Sequence, residues 1–162
     1  LVDAEVGIDQ VRAANRHAER GLKISRATGH GHVVARLLVG EATAKMVLGQ
    51  LGGARRAAEA AVEVALLLDN DQLRMSAEGV RCWIEMLGGD LAAALSAGRA
   101  AVVAAERAPY AYYAWLARGV FGQALIEAGE FERGRREILS IGGSELSEMP
   151  PIVRSFFEAA LV

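Results

Sequence analysis

Between glycine-marked breaks the chain repeats one pattern, runs of apolar and small residues interrupted by charges at helical spacing. The segment from Leu73 to Leu87 shows it most clearly. Its charged residues are Arg74, Glu78, Arg81 and Glu85. At about 100° per residue they fall in one narrow stripe, with Arg74–Glu78 and Arg81–Glu85 as i,i+4 pairs. Leu73, Met75, Val80, Cys82, Trp83, Ile84, Met86 and Leu87 fill the rest of the girth, which predicts a helix packed on two or more sides. Segment 110–128 goes further. Between Tyr110 and Ile126 its only charge is Arg118, and Ala114, Ala117, Gly122 and Ala124 permit close helix–helix approach. Segment 54–68 carries Arg55, Arg56, Glu59 and Glu63 on one side, as an outer helix would, and 130–140 is charged around most of its girth. Inner and outer helices therefore alternate. Strict apolar–polar alternation is absent, so no strand is predicted.

The alternation is periodic. "LGGARRAAEAAVEVA" at 51–65, "LGGDLAAALSAGRAA" at 87–101 and "EAGEFERGRREIL" at 127–139 align on Gly53, Gly89 and Gly129, with spacings of 36 (89 − 53) and 40 (129 − 89). Turns are placed near 29–31, 52–53, 88–89, 129 and 142–149. A period of about 34 to 47 residues built from two helices is that of a helical solenoid. Each hairpin cannot bury its own apolar face, so neighbours stack into a continuous core. The expected fold is all-α, about eight antiparallel-paired helices forming a single repeat domain over 1–162.

Composition narrows the function classes. The 162 residues are rich in alanine, with three prolines and 52% hydrophobic residues, too apolar for a disordered chain. A formal charge of −2 offers no electrostatic footprint for nucleic acid or an anionic membrane. The lone Cys82 excludes an internal disulfide and fits a reducing compartment. No run approaches the roughly 20 apolar residues that span a bilayer. A start at Leu1 without a signal peptide reads as a piece of a longer cytoplasmic protein.

Candidate chemistry is sparse. His30-Gly31-His32 lacks helical i,i+4 ligand geometry and a nearby carboxylate or thiol cluster, so it is read as a polar turn and no metal is expected. Gly29-His30-Gly31 lacks the third glycine and the preceding strand of a phosphate cradle. Cys82 sits mid-helix with no histidine near it in sequence, as a buried small hydrophobe. Arg12, Arg16, Arg20, Lys23 and Arg26 make a basic stripe read as a solvated face, with docking to an acidic neighbouring domain the lesser alternative. No nucleophile–base pair, carboxylate dyad or ligand cluster emerges, so neither an enzyme nor a cofactor is expected. Tyr110, Tyr112, Tyr113, Trp115 and Phe121 form the densest aromatic patch, with Trp83 adjacent. Repeat core is the first reading, and some of them lining a concave groove is the second. The end, "SEMPPIVRSFFEAALV", reads as a further helix with Pro150 and Pro151 in its first turn. Its apolar residues have no following helix to cover them, which predicts self-association through 150–162.

Phe121-Gly122, Leu125 and Gly129-Glu130-Phe131, and Gly89-Asp90-Leu91 with Ala94 and Ala101, resemble the tetratricopeptide pattern. With Gly53 aligned, the first unit departs from that pattern, because Arg55 falls on an apolar position. Gly134 replaces the usual alanine, which is expected to loosen packing there. The resemblance implies a right-handed superhelix. Its template places Trp83, Met86, Gln123 and Ile126 on the concave side, and Tyr112 and Trp115 join them from the aromatic patch. The runs "GLKISRATGHGH", "LGGARRAAEAAVEVALLLDNDQL", "GDLAAAL…GRAAVVAAER" and "ALIEAGEFERGRREIL…GG…LSEMPP" look like the helical-repeat region of large LuxR-type, MalT-like ATP-dependent transcriptional regulators of actinobacteria. In that family a P-loop ATPase precedes the repeats and a helix-turn-helix domain follows. Neither G-x-x-x-x-G-K-[ST] nor a basic recognition helix occurs in this chain. The implied function is a non-catalytic sensor or interaction segment. Its partners would be the other domains of the same polypeptide, a protein or a small effector, without direct nucleic-acid or membrane contact. A generic repeat scaffold unrelated to transcription is the alternative.

Overall fold

A computed structural model describes residues 8–108 and 114–142. All regular structure among them is helical: α1 Ile8–Ala27, α2 Gly31–Val47, α3 Leu51–Leu67, α4 Asp71–Leu87, α5 Leu91–Arg107, α6 Ala114–Glu127 and α7 Phe131–Gly142. These are seven of the eight helices expected. The helix and self-associating segment placed at 150–162 lie outside the described residues, as does the turn at 142–149 apart from Gly142, which ends α7.

One turn recurs after five of the described helices. After each of α1 to α4 and α6 the chain passes through a residue of positive φ: Gly29 (72°), Gly49 (72°), Asp69 (48°), Gly89 (80°) and Gly129 (83°). The next N–H donates to the carbonyl five residues back, from His30 to Ser25 (3.1 Å), Gln50 to Lys45 (2.8 Å), Asn70 to Ala65 (3.1 Å), Asp90 to Glu85 (2.9 Å) and Glu130 to Leu125 (2.8 Å). This is a Schellman closure, which leaves few helix-end carbonyls unsatisfied. The following helix starts at once: the Asn70 and Asp90 side chains accept from the N–H groups of Leu73 (2.9 Å) and Ala93 (3.0 Å). In sequence, the position 40 residues after Asp69 is Pro109. Ala108 before it is extended, at ψ 136°, as a residue preceding proline prefers.

These turns correct the repeat register. Gly52 and Gly53 lie inside α3, so the turn expected at 52–53 falls instead at Gly49, which is the equivalent of Gly89 and Gly129. The unit is then 40 residues at both steps (89 − 49 and 129 − 89), where 36 and 40 were expected. Leu51, Leu91 and Phe131 come into alignment, and Arg55 no longer occupies an apolar position; it reaches across to Glu85 of α4.

Each helix packs along the next, and α2, α4 and α6 also touch one another directly, α4 lying against α2 and α6. They form an inner layer, with α3, α5 and α7 outside. The core is a series of clusters rich in alanine: Ala42, Ala54, Ala57, Ala58 and Ile84 join α2, α3 and α4, and Met75, Ala101, Ala104, Ala105 and Ala117 join α4, α5 and α6. Small side chains bring helix backbones close enough for dense contact with little apolar volume. Gly134 does not loosen this packing, as the pattern had implied. A methyl group there would lie 2.5 Å from the Gly122 carbonyl oxygen and 2.6 Å from Ile126 Cγ1. The two glycines face each other and let α6 and α7 meet at their backbones.

Candidate functional site

The 40-residue register makes Thr43, Trp83 and Gln123 equivalent, and likewise Met46, Met86 and Ile126. Four of the six residues named from the sequence thus form two rows along the inner helices. Their environments differ. Trp83 and Met86 are half-buried and wedge, with Leu116, against the cluster of Cys82, Ala94, Ala97, Val120 and Ala124. They fill the seam between α4 and α6. Gln123 is half-buried, and its Oε1 is shielded from solvent without a hydrogen-bond donor among the described residues. Ile126 is half-buried and packs over Gly134 of α7. Tyr112 lies outside the described residues, as does the side chain of Trp115. Phe121 is core, packed with Val102 and Leu125.

The two carboxylates of the α4 polar stripe are buried, while Arg74 and Arg81 are half-buried. Glu85 is 3% exposed and Glu78 is 5% exposed. Glu85 accepts from Arg55 Nε at 2.9 Å and from Arg55 Nη2, a bidentate clamp between α3 and α4. Glu78 accepts from Arg81 at 3.3 Å. Burial pushes its carboxyl above the ordinary range, opposed in part by Arg81 and Arg74. On α6, Arg118 donates to Glu106 of α5 (2.9 Å) and Glu137 of α7 (2.8 Å), tying three helices together. Burial also pushes the Cys82 thiol up to about 12, and its S–H is directed at the Val120 carbonyl (3.9 Å). A thiol so held has almost no nucleophilic thiolate at neutral pH.

Lower on the inner layer the structure reveals a feature absent from the sequence reading. A cleft of about 530 Å³ opens between α2 and α4. Helix α2 supplies His32, Arg36 and Val39, while α4 supplies its cap Asn70 with Gln72, Leu73 and Ser76. Its two walls are in register, since His32 and Gln72 are equivalent positions, as are Arg36 and Ser76. The 36-residue spacing hid that alignment; with Gly49 as the turn it is legible in the sequence.

His30 lies at the turn before α2, its Nδ1 2.7 Å from the Thr28 hydroxyl. Among the described residues no group of three or more His, Cys, Asp or Glu is placed to hold a metal ion. Nor is any described helix long and apolar enough to cross a membrane. The α1 residues Arg12, Arg16, Arg20, Lys23 and Arg26 are all exposed. Comparison with protein-family models, curated proteins and solved structures returns no match.

Proposed function

We propose that this chain is a non-catalytic binding segment, wound as a right-handed tetratricopeptide-like superhelix, whose inner helices hold a small effector or a stretch of protein. One observation carries the reading: α2, α4 and α6 touch in a row. In a stack of hairpins the side on which neighbouring units meet most closely is the concave one, and concave faces of solenoids are extended binding surfaces. The α2–α4 cleft, half-buried Trp83 and the Gln123 carbonyl, without a donor among the described residues, all belong to these three helices and support the reading.

The resemblance to LuxR-type, MalT-like regulators extends the proposal. The segment would work inside a longer cytoplasmic polypeptide and pass occupancy to an ATPase and a helix-turn-helix domain. Coupling then requires a ligand that binds one curvature of the stack better than another, because only differential affinity shifts an equilibrium. Two experiments test these levels separately. Reading the complete gene should reveal a P-loop upstream and a helix-turn-helix downstream; finding neither leaves a repeat scaffold unconnected to transcription. Replacing Trp83 and Gln123 with alanine should preserve helicity and weaken effector or partner binding. Unchanged binding would remove the groove from the proposal.

A further inference from the structure

The cleft between α2 and α4 has a chemical character that the helical stack itself does not require. Its lining contains two basic side chains, His32 and Arg36, and no carboxylate, in a chain whose formal charge is −2. Asp69 and Asp71 flank Asn70 in sequence, yet neither lines the cleft. Arg36 is exposed and has no ion-pair or hydrogen-bond partner among the described residues. That distinguishes it from Arg55, Arg81, Arg118 and Arg133, each held by a carboxylate. Asn70 spends its Oδ1 on the Leu73 N–H, which leaves its amide hydrogens to donate. Ser76 and Gln72 add neutral hydrogen-bonding groups, and Val39 and Leu73 an apolar floor. In the next unit the position of Arg36 is Ser76 and in the third it is Leu116, so the repeat itself does not call for an arginine there. The volume falls in the range of small-molecule sites.

We infer that this cleft binds a small anionic molecule, one whose phosphoryl or carboxylate group pairs with Arg36 while its body rests on Val39 and Leu73. The planar guanidinium fork matches either oxyanion with two parallel hydrogen bonds. The assignment rests on the reading that the inner layer is a binding face, and it names the ligand class for one part of that face.

Amide chemical shifts of the whole chain report the outcome, with glycerol 3-phosphate, citrate and neutral glucose as probes at constant ionic strength. Saturable shifts confined to residues 32–39 and 70–76 are expected with glycerol 3-phosphate or citrate and none with glucose. Whichever anion saturates identifies the oxyanion. Arg36→Ser, which installs the residue found one repeat later, should weaken that binding about tenfold. Arg56→Ser, an equal loss of charge on an outer helix, should leave it unchanged. The proposal is overturned by shifts with neither anion, by equal binding in the Arg36→Ser variant, or by shifts centred on the basic face of α1. Saturation by a hexaglutamate peptide alone would replace the small anion with an acidic protein segment. Separately, an absence of anion shifts in the cleft, with Trp83→Ala still weakening the binding of a partner, would keep the groove and remove the anion site.

Discussion

Repeat-equivalent pairs at the helix crossings each contain a glycine or alanine, though neither residue is constant. Where Ala42 meets Ala58 in the first hairpin, Cys82 meets Gly98 in the second and Gly122 meets Ile138 in the third. A methyl group added at Gly98 would stand 2.6 Å from Phe121 Cδ2 and 3.1 Å from Cys82 Sγ. At Gly134 the obstacle is backbone, which has less freedom to move than a side chain. Gly134→Ala would restore the residue usual in the pattern this chain resembles, yet it should destabilise the fold by about 1–3 kcal/mol, read from a lowered urea midpoint. Glu78 supplies a second residue-level test. Folding raises its carboxyl above the ordinary 4.5, so the folded chain holds that proton more tightly than the unfolded chain does. Its contribution is therefore most favourable below pH 4.5 and is lost as pH rises through the higher folded value. Glu78→Gln keeps an acceptor for Arg81 and removes the buried charge. The variant should be the more stable at pH 7, with the difference closing as pH falls toward 4.5, measured by denaturation across that range.

At the scale of the element, α2, α3 and α4, of 17 residues each, alternate with turns of one form, and the positive-φ residue sets where each of these three stops. A Cβ at Gly49 would touch nothing within 4 Å, so its cost is purely conformational. Gly49→Ala should lose about 1 kcal/mol or slightly more. Gly52, three residues on, is helical and open, and Gly52→Ala should gain about 0.5–1 kcal/mol. The opposite signs, read from paired denaturation curves, test the placement of this turn directly. The alternating inner and outer helices were legible in the charge pattern, since Arg55, Arg56, Glu59 and Glu63 could not all be buried together. The register of the first unit was not, because Gly49 and Gly53 both precede an alanine-rich run. Only the backbone dihedral separates a turn glycine from a glycine inside the helix.

On the scale of the whole molecule, α4 is packed against four helices, α2, α3, α5 and α6. In a stack whose units contact only neighbours, stability is a sum of unit and interface terms, and the ends open first. Amide hydrogen exchange should therefore be slower in the middle of α4 than in α1 or α7, which pack on fewer of the described helices. Uniform protection along the stack would mean a single cooperative unit instead. The α4 carboxylates fit this centrality: Glu85 survives burial because Arg55 arrives from another helix with two hydrogen bonds, a partnership 30 residues away in sequence.

The sequence alone determined the class of structure and the layering of its helices. Both follow from local causes: helical charge spacing, alanine content, glycine breaks and a period too long for a single hairpin. Tertiary structure decided which charges are buried, that Gly134 tightens a crossing, and that His32 and Arg36 face Gln72 and Ser76 across a cleft. Those outcomes depend on how one helix lies on another, and a shift of a few residues in register changes which side chains oppose each other while leaving every local pattern intact.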